Sequence, residues 1–249
     1  MKLFNKRKTR TIFLNTIAEF AASVIFSLLF FIFISRYISE DFGFDFITLS
    51  FAIGLSYFVS VYIPFYTYRI HIIPFITVLR ALQKKNFSLI IYKVPAQILG
   101  ALAGVGLFTA VNSFTTEVNV NIVNKTSIDN IYFLSLLNFL LTAVLCYGFY
   151  VIRIIFRKRS INGTIFLGLL ITILFAFSGG IQGLTFLNPF GYLAVEVFRL
   201  AFNPIAVLDF ILLHILSPLL ATLLSYYFIN IRFGKESAPF FRAGRLKRS

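Results

Sequence analysis

An asparagine–proline pair, Asn188-Pro189, lies in a stretch of sequence that is otherwise strongly apolar. Proline is favoured in the first turn of a helix, and an asparagine before it can cap the helix and offer an amide proton. A helix that starts inside a membrane presents N–H groups and the positive end of its dipole, which repel cations and can bind a passing neutral solute. Irregular backbone is tolerated there when it lines a water-filled path. The alternative is a structural cap in a closed pore.

A second short apolar stretch, Pro74–Leu82, also begins at a proline. Ile73 precedes this proline and has no side-chain donor, so this helix start is less polar than the one at Asn188. Phe75 and Phe190 follow the two prolines and add bulk. Two interpretations remain open: the rings narrow a pore for less polar solutes, or they pack between helices and leave the lumen unchanged.

The composition is typical of an integral membrane protein. Of the 249 residues, 59% are hydrophobic and only 13% are charged, and the mean hydropathy is +0.88. A single cysteine, Cys146, excludes an intramolecular disulfide and any metal site that needs several cysteines. Nothing resembles a nucleophile with its base or a set of metal ligands. We therefore expect no enzyme activity, no cofactor and no metal.

Apolar runs of membrane-spanning length predict six transmembrane helices. They lie at Thr11–Ser35, Phe46–Thr67, Phe87–Val111, Ile131–Ile155, Gly163–Ile181 and Ile205–Ile231. The stretches that begin at Pro74 and Pro189 are too short to cross and predict two half-helices. The expected fold is thus an all-α membrane protein.

The net charge is +14, and the positions of the positive residues along the chain indicate the membrane topology. Lysines and arginines cluster before the first span, between the second and third, between the fourth and fifth, and after the sixth. Lys93 belongs to the second of these groups. The positive-inside rule puts these segments in the cytoplasm. We expect a multi-pass protein of the cell membrane with cytoplasmic basic tails at residues 1–10 and 232–249. Contact with anionic lipid explains the charge, and we expect no nucleic-acid partner.

The two halves of the chain share one plan. Gly54 precedes Pro74 by 20 residues, and Gly168 precedes Pro189 by 21. The two short helices follow crossings of opposite direction, which predicts inverted repeats at about 11–111 and 131–231 within one channel domain. Paired interrupted segments of this kind point to a substrate path at the midplane.

In the order and spacing of its motifs, the chain resembles the aquaporin and aquaglyceroporin family. The resemblance rests on six segments: "AEF" at 18–20, "GLSYFVSVY" at 54–62, "HIIPFITV" at 71–78, "AQILGALAG" at 96–104, "LLTAVL" at 140–145 and "SPLLATLLSYY" at 217–227. It implies six spans, two half-helices that meet end to end, passive permeation of small neutral solutes and a homotetramer in the lipid bilayer.

The resemblance also places a selectivity filter. Its four positions fall on Ile53, Phe175 (or its neighbour Ala176), Thr185 and Gly191. The family's pore-mouth arginine falls on Gly191, and its fourth-span glutamate falls on Asn138. Loss of the arginine should widen the mouth, so glycerol-like polyols or other small uncharged molecules are favoured over water alone.

Three charged or titratable residues complete the candidate site. A carboxyl group within a span is costly unless it is paired, and the resemblance implies that Glu19 braces the loop that contains His71. Arg69, five residues before Pro74, belongs to the inner vestibule. It either gates or binds an anion there, or it extends its side chain to the membrane interface.

The sequence leaves two other functions open. Because Ile73, Asn138 and Gly191 all depart from the family pattern, the protein is alternatively a non-conducting membrane scaffold or complex subunit. A small six-span transporter subunit is the third hypothesis, against which the repeat with two half-helices argues.

Overall fold

Helices make up almost all of the chain that the structure describes. The computed structural model describes residues 6–38, 45–62, 70–113, 131–156, 161–178 and 211–233. Its helices are α1 (Lys6–Ile38), α2 (Phe46–Tyr62), α3 (Pro74–Lys84), α4 (Ser88–Ser113), α5 (Ile131–Ile155), α6 (Ile161–Phe177) and α7 (Ser217–Phe233). A π-helical turn, Ile211–Leu216, leads into α7. No strand occurs within these ranges, and the predicted all-α class is confirmed.

Four helical stretches are long and apolar enough to cross a membrane: Thr11–Tyr37, Ser88–Val111, Tyr132–Ile155 and Ile211–Phe233. The helices α2 and α6 are apolar but have 17 residues each, a length of about 25 Å. The last residues of the two predicted spans, 63–67 and 179–181, lie outside the described residues. The second predicted half-helix, which begins at Pro189, lies outside the described residues.

Local sequence sets the ends of two of these helices. Asp45 precedes α2, and its Oδ1 accepts the Thr48 N–H at 2.6 Å. Hydrogen bonds from the Thr48 side chain and backbone hold the pKa of Asp45 below its usual value. At the end of α3, Lys85 adopts a left-handed conformation with φ of 50°. The N–H of Asn86 then bonds to the carbonyl of Ala81 at 3.0 Å, which closes the last turn.

The helices α1 and α4 pack in parallel and almost backbone to backbone. A Cβ atom at Gly100 would lie 2.5 Å from the Phe20 carbonyl oxygen, and one at Gly104 would lie 2.6 Å from that of Val24. Contacts therefore advance in the same direction along both chains. Small residues four apart permit this close approach, which is a common device of membrane helices.

The short helix α3 enters the bundle and leaves on the same side. Its start contacts Glu19 of α1, which lies about 12 Å along the helix axis from Thr11. Its end leads directly to Ser88, the first residue of α4, on the side where α1 begins. Because α1 and α4 are parallel, α3 is re-entrant.

The helices α5 and α7 form a second parallel pair. The Ser217 hydroxyl donates to the Ser135 carbonyl, and eight residues further along each helix Ser225 donates to the Ala143 carbonyl at 3.4 Å. The thiol of Cys146 lies 3.7 Å from the Thr222 hydroxyl, so the cysteine is packed between the two helices.

The helices α2 and α6 cross at Gly54 and Gly168, the two glycines that the sequence repeat aligns. A Cβ atom at Gly54 would lie 2.5 Å from the carbonyl oxygen of Gly168 and 2.0 Å from Oγ1 of Thr172. The backbone oxygen cannot move away without moving α6. The crossing therefore has no room for a side chain at this position.

We expect Gly54→Ala to destabilise the protein by about 1–3 kcal/mol, the usual cost of an overpacked interior. Gly148→Ala is the matched control, because its added methyl would meet only the end of the flexible Leu170 side chain, at 2.7 Å. Thermal unfolding of the detergent-purified variants, followed by circular dichroism, measures the difference. Equal melting temperatures for the two variants would contradict the close crossing.

Candidate functional site

The carboxylate of Glu19 accepts four hydrogen bonds in the described interior. Its Oε1 accepts the backbone N–H groups of His71 at 3.0 Å and Ile72 at 2.9 Å, and Nε2 of Gln97 at 2.6 Å. Its Oε2 accepts Nζ of Lys93 at 2.6 Å. Glu19 is fully buried. The carboxylate thus joins α1, the start of α3 and α4.

The backbone that Glu19 holds is strained. Ile72 has a φ of 59°, which is rare for a β-branched residue. The Ile73 N–H donates to the His71 carbonyl at 2.6 Å, so Ile72 is the centre of a three-residue turn. Strain of this kind costs about 1–3 kcal/mol and persists only where the surroundings enforce it. The two N–H bonds to Glu19 enforce it here.

The strained turn aims the start of α3 into the bundle. Pro74 occupies the first turn of α3, and Ile73 provides no side-chain cap. All of the residues from Ile70 to Thr77 are buried, with Ile73 and Ile76 fully so. The positive end of the α3 dipole therefore lies in the protein interior and not at its surface. Phe75 is buried as well, at 6% exposure.

Lys93 is placed differently from the prediction. The prediction that Lys93 lies among the loop charges between the second and third spans is wrong, because α4 begins at Ser88 and Lys93 lies inside it. Only 2% of its surface is exposed. The ion pair with Glu19 makes this burial tolerable, since an unpaired charge in the interior would cost several kcal/mol.

A second group of side chains meets on the ring of Phe149 in α5. The guanidinium carbons of Arg80 and Arg153 lie 5.7 and 5.3 Å from the ring centroid. The His71 ring meets it edge-on at 6.1 Å between centroids. We call Phe149, Arg80, Arg153 and His71 the Phe149 cluster. It joins α3 and α5 to the turn that Glu19 holds.

The described residues of the predicted filter lie in packed surroundings. Ile53 and Phe175 both have 0% exposure. The Phe175 ring contacts Phe46 at 6.0 Å and Phe30 at 6.3 Å between centroids. Their role in a lumen stays a prediction. Six predicted site residues lie outside the described ranges: Arg69, Thr185, Asn188, Pro189, Phe190 and Gly191.

Asn138 of α5 contacts the π-helical turn. Its Nδ2 donates to the Leu213 carbonyl at 3.3 Å. A π-helical turn leaves its carbonyls displaced from the regular ladder, so a side-chain donor can be accommodated there. His214, the next residue, is buried in the same turn. Asn138 is therefore engaged with the start of α7.

Sequence reasoning did not find Lys93, Gln97, Arg80 or Arg153 as site residues. A signal for the first two was present: Lys93, Gln97, Gly100 and Gly104 follow one another at spacings of four, three and four, which is one face of a helix. Arg80 and Arg153 carried no such signal, because their meeting point depends on how α3 and α5 pack. Within the described ranges, no three His, Cys, Asp or Glu side chains meet as metal ligands would.

Comparison with protein-family models matches residues 6–227 of the chain to the family described as Major intrinsic protein. The match thus includes α1 to α6 and most of α7. A search of curated proteins finds no significant match.

We expect a double-mutant cycle on Glu19 and Lys93 to be strongly non-additive. Lys93→Met leaves a buried carboxylate without its cation, and Glu19→Gln leaves a buried ammonium without its anion. Each single change should cost about 3–5 kcal/mol of stability. The double variant Glu19→Gln/Lys93→Met, which buries no charge, should be more stable than either single variant.

The cycle is measured by thermal unfolding in detergent. Arg232→Met, at an exposed position in the last turn of α7, is the control and should change stability by less than about 1 kcal/mol. If the effects of the two single substitutions simply add in the double variant, the pair is not coupled and this description of the site is wrong.

Proposed function

Because the chain belongs to the major intrinsic protein family, a family of membrane channels for small solutes, we propose that it conducts small neutral solutes passively. The observation that carries this proposal is the buried start of α3. A helix that begins inside a membrane bundle directs its dipole and its first N–H groups at the interior, where a neutral solute can accept them. Cations are repelled from the same point.

Glu19 acts as the brace in this proposal. A short helix keeps its direction only if the preceding loop is fixed, and Glu19 supplies two bonds to that loop. The ammonium group of Lys93 orients the carboxylate. No proton transfer is needed for passive permeation, so both groups serve to position α3.

We further propose glycerol-like polyols, or other small uncharged molecules, as the solutes. Gly191 in place of an arginine leaves more room at the pore mouth and removes a fixed charge there. Ile73 in place of an asparagine makes one half of the midplane apolar. Both changes favour a solute with a carbon skeleton over water alone.

One observation favours a second function. Ile53 and Phe175 have no exposed surface, so neither side chain faces an open lumen. A protein of this fold without an open lumen would serve as a non-conducting scaffold or complex subunit. Transport measurements on purified protein separate the two functions.

Stopped-flow light scattering on proteoliposomes, with water, glycerol and urea gradients, tests the proposal. The wild-type protein should conduct glycerol faster than empty liposomes. Gly191→Arg should reduce glycerol flux several-fold more than water flux, because a guanidinium group narrows the mouth; Gly191→Ala should change both little. Rates equal to those of empty liposomes for every solute would instead favour the scaffold.

We also propose that the channel is a homotetramer of the cell membrane, built from inverted repeats, with both termini in the cytoplasm. The segment between α4 and α5 is then external. In a Cys146→Ala background, Asn119→Cys should react with an impermeant thiol reagent in intact cells. A cysteine at Lys85, between α3 and α4, should react only after the membrane is opened. The reverse pattern would overturn the orientation.

A further inference from the structure

We propose that three aromatic rings, those of Phe30, Phe46 and Phe175, form a gate that closes the solute path at one end of the bundle. The inference rests on the proposed channel function and deepens it, because it assigns the step that regulates permeation through the same site. The rings belong to α1, α2 and α6, so their contacts depend on how three separate helices are placed. We call these three rings the aromatic gate.

The aromatic gate lies at the end of the bundle opposite the connection between α3 and α4. That connection is on the side where α1 begins, and Glu19 marks the level at which α3 starts. Phe30 follows Glu19 by 11 residues, so it lies about 16 Å further along the axis of α1. Phe46 is the first residue of α2, and Phe175 is in the last turn of α6. A path that passes the start of α3 must continue toward this end to cross the membrane.

The Phe175 ring is held between the two others. It stacks on Phe46 with 6.0 Å between centroids and 28° between ring planes, and it meets Phe30 edge-on at 6.3 Å and 85°. Offset-stacked and edge-to-face arrangements at such distances are the favoured geometries of aromatic pairs. Phe30 and Phe175 have no exposed surface, whereas Phe46 is partly exposed. The three rings therefore join α1, α2 and α6, with Phe46 on the outer side.

Local caps fix the backbones that carry the two stacked rings. Oδ1 of Asp45 accepts the Thr48 N–H at 2.6 Å, which holds the first turn of α2. The Ser178 hydroxyl donates to the Phe175 carbonyl at 2.6 Å, which closes the last turn of α6. Fraying of either helix end would break its cap. We therefore expect the rings to part by side-chain rotation or by movement of a whole helix.

The side chains directly behind the aromatic gate are also buried. Ile53 lies two turns beyond Phe46 on α2, and Phe26 lies one turn before Phe30 on α1. The rings of Phe26 and Phe30 are in contact, with 5.5 Å between their centroids. A solute that passed Phe175 would next meet Ile53. The accessibility of position 53 therefore reports whether the gate is open.

Closed rings act most strongly against polar solutes. A polyol that enters between them gives up hydrogen bonds to water, and a ring face offers only a weak acceptor in return. The contacts among the rings must be broken as well. Both costs disappear once the rings have parted, so the flux depends on the fraction of molecules in the open state. Glycerol flux of the wild type above that of empty liposomes then measures how often the gate opens.

The first test measures access to the interior and does not depend on solute flux. Ile53→Cys places a thiol behind the gate. The native Cys146, buried between α5 and α7, is the internal control for general loosening of the fold. The full-length protein in detergent is treated with methyl methanethiosulfonate, a small neutral thiol reagent, and both positions are followed by peptide mass spectrometry. Both thiols should react slowly while the gate is intact.

Phe46→Ala and Phe175→Leu each remove part of the closure. Each should speed modification of the introduced thiol by about threefold to tenfold, because loss of one ring contact shifts the equilibrium between closed and open rings by that factor. The reaction of Cys146 should stay at its original rate. If Phe175→Leu does not fold, Phe46→Ala carries the test, since it changes the partly exposed ring.

Phe58→Ala is the matched control. Phe58 lies on the same helix as Phe46, about 18 Å away from it along the axis. Its ring stacks on Tyr62 of that helix at 5.2 Å between centroids. This substitution therefore removes a ring contact of the same kind outside the gate, and it should leave the reaction rates of both thiols unchanged.

Glycerol flux in proteoliposomes separates failure of the gate from failure of the channel. Phe46→Ala and Phe175→Leu should raise the flux by the same factor as they raise thiol modification, whereas Phe58→Ala should leave it at the wild-type rate. If the wild type conducts glycerol and neither gate variant conducts faster, the gate is wrong and the channel function is retained. If the introduced thiol becomes accessible but no variant conducts above empty liposomes, the rings close the interior as proposed and the channel function is wrong.

Two results of the thiol measurement overturn the gate by themselves. One is an unchanged rate at position 53 in folded Phe46→Ala protein. The other is an equal acceleration at position 53 and at Cys146, because the rings would then stabilise the fold as ordinary core residues and would not control access to the interior.

Discussion

The arrangement of the helices from α1 to α4 depends on one carboxylate. Glu19 lies in the apolar interior, where an unpaired charge is costly. It becomes acceptable because four donors converge on it, two from the backbone and two from α4. In return it holds a turn that an isoleucine would not adopt by itself. The direction of α3 follows from this arrangement, and so does any path that runs along its start.

Close helix packing makes this convergence possible. Lys93 and Gln97 reach Glu19 only because Gly100 and Gly104 bring α4 against the backbone of α1. A side chain at either glycine would move α4 outward, and the hydrogen bonds to Glu19 would lengthen. The apolar and polar parts of the interface are therefore not independent: small residues set a distance, and that distance decides whether a buried charge is satisfied.

The sequence was sufficient for the family and for the presence of the described helices. Hydropathy gave the limits of α5 to the residue, and a proline marked the start of α3. It was not sufficient for Lys93, because a lysine near a span end normally belongs to a loop, and only the start of α4 at Ser88 decides otherwise. Arg80 and Arg153 are 73 residues apart in the sequence, and their shared contact with Phe149 is a property of packing alone. Local sequence patterns therefore cannot predict that these two side chains contact the same ring.

The separation of Glu19 from its partner bears on how the protein is made. Lys93 follows Glu19 by 74 residues, which a ribosome needs roughly 4–15 s to synthesise. During that interval α1 can enter the bilayer only with an unmatched carboxyl group, at a cost of about 2.5–3.5 kcal/mol. The many leucine, isoleucine and phenylalanine residues between Thr11 and Tyr37 offset this cost. Until α4 is synthesised, the carboxyl group of Glu19 has no ammonium partner, so biogenesis of the channel includes a stage at which the turn before α3 is not yet held in place.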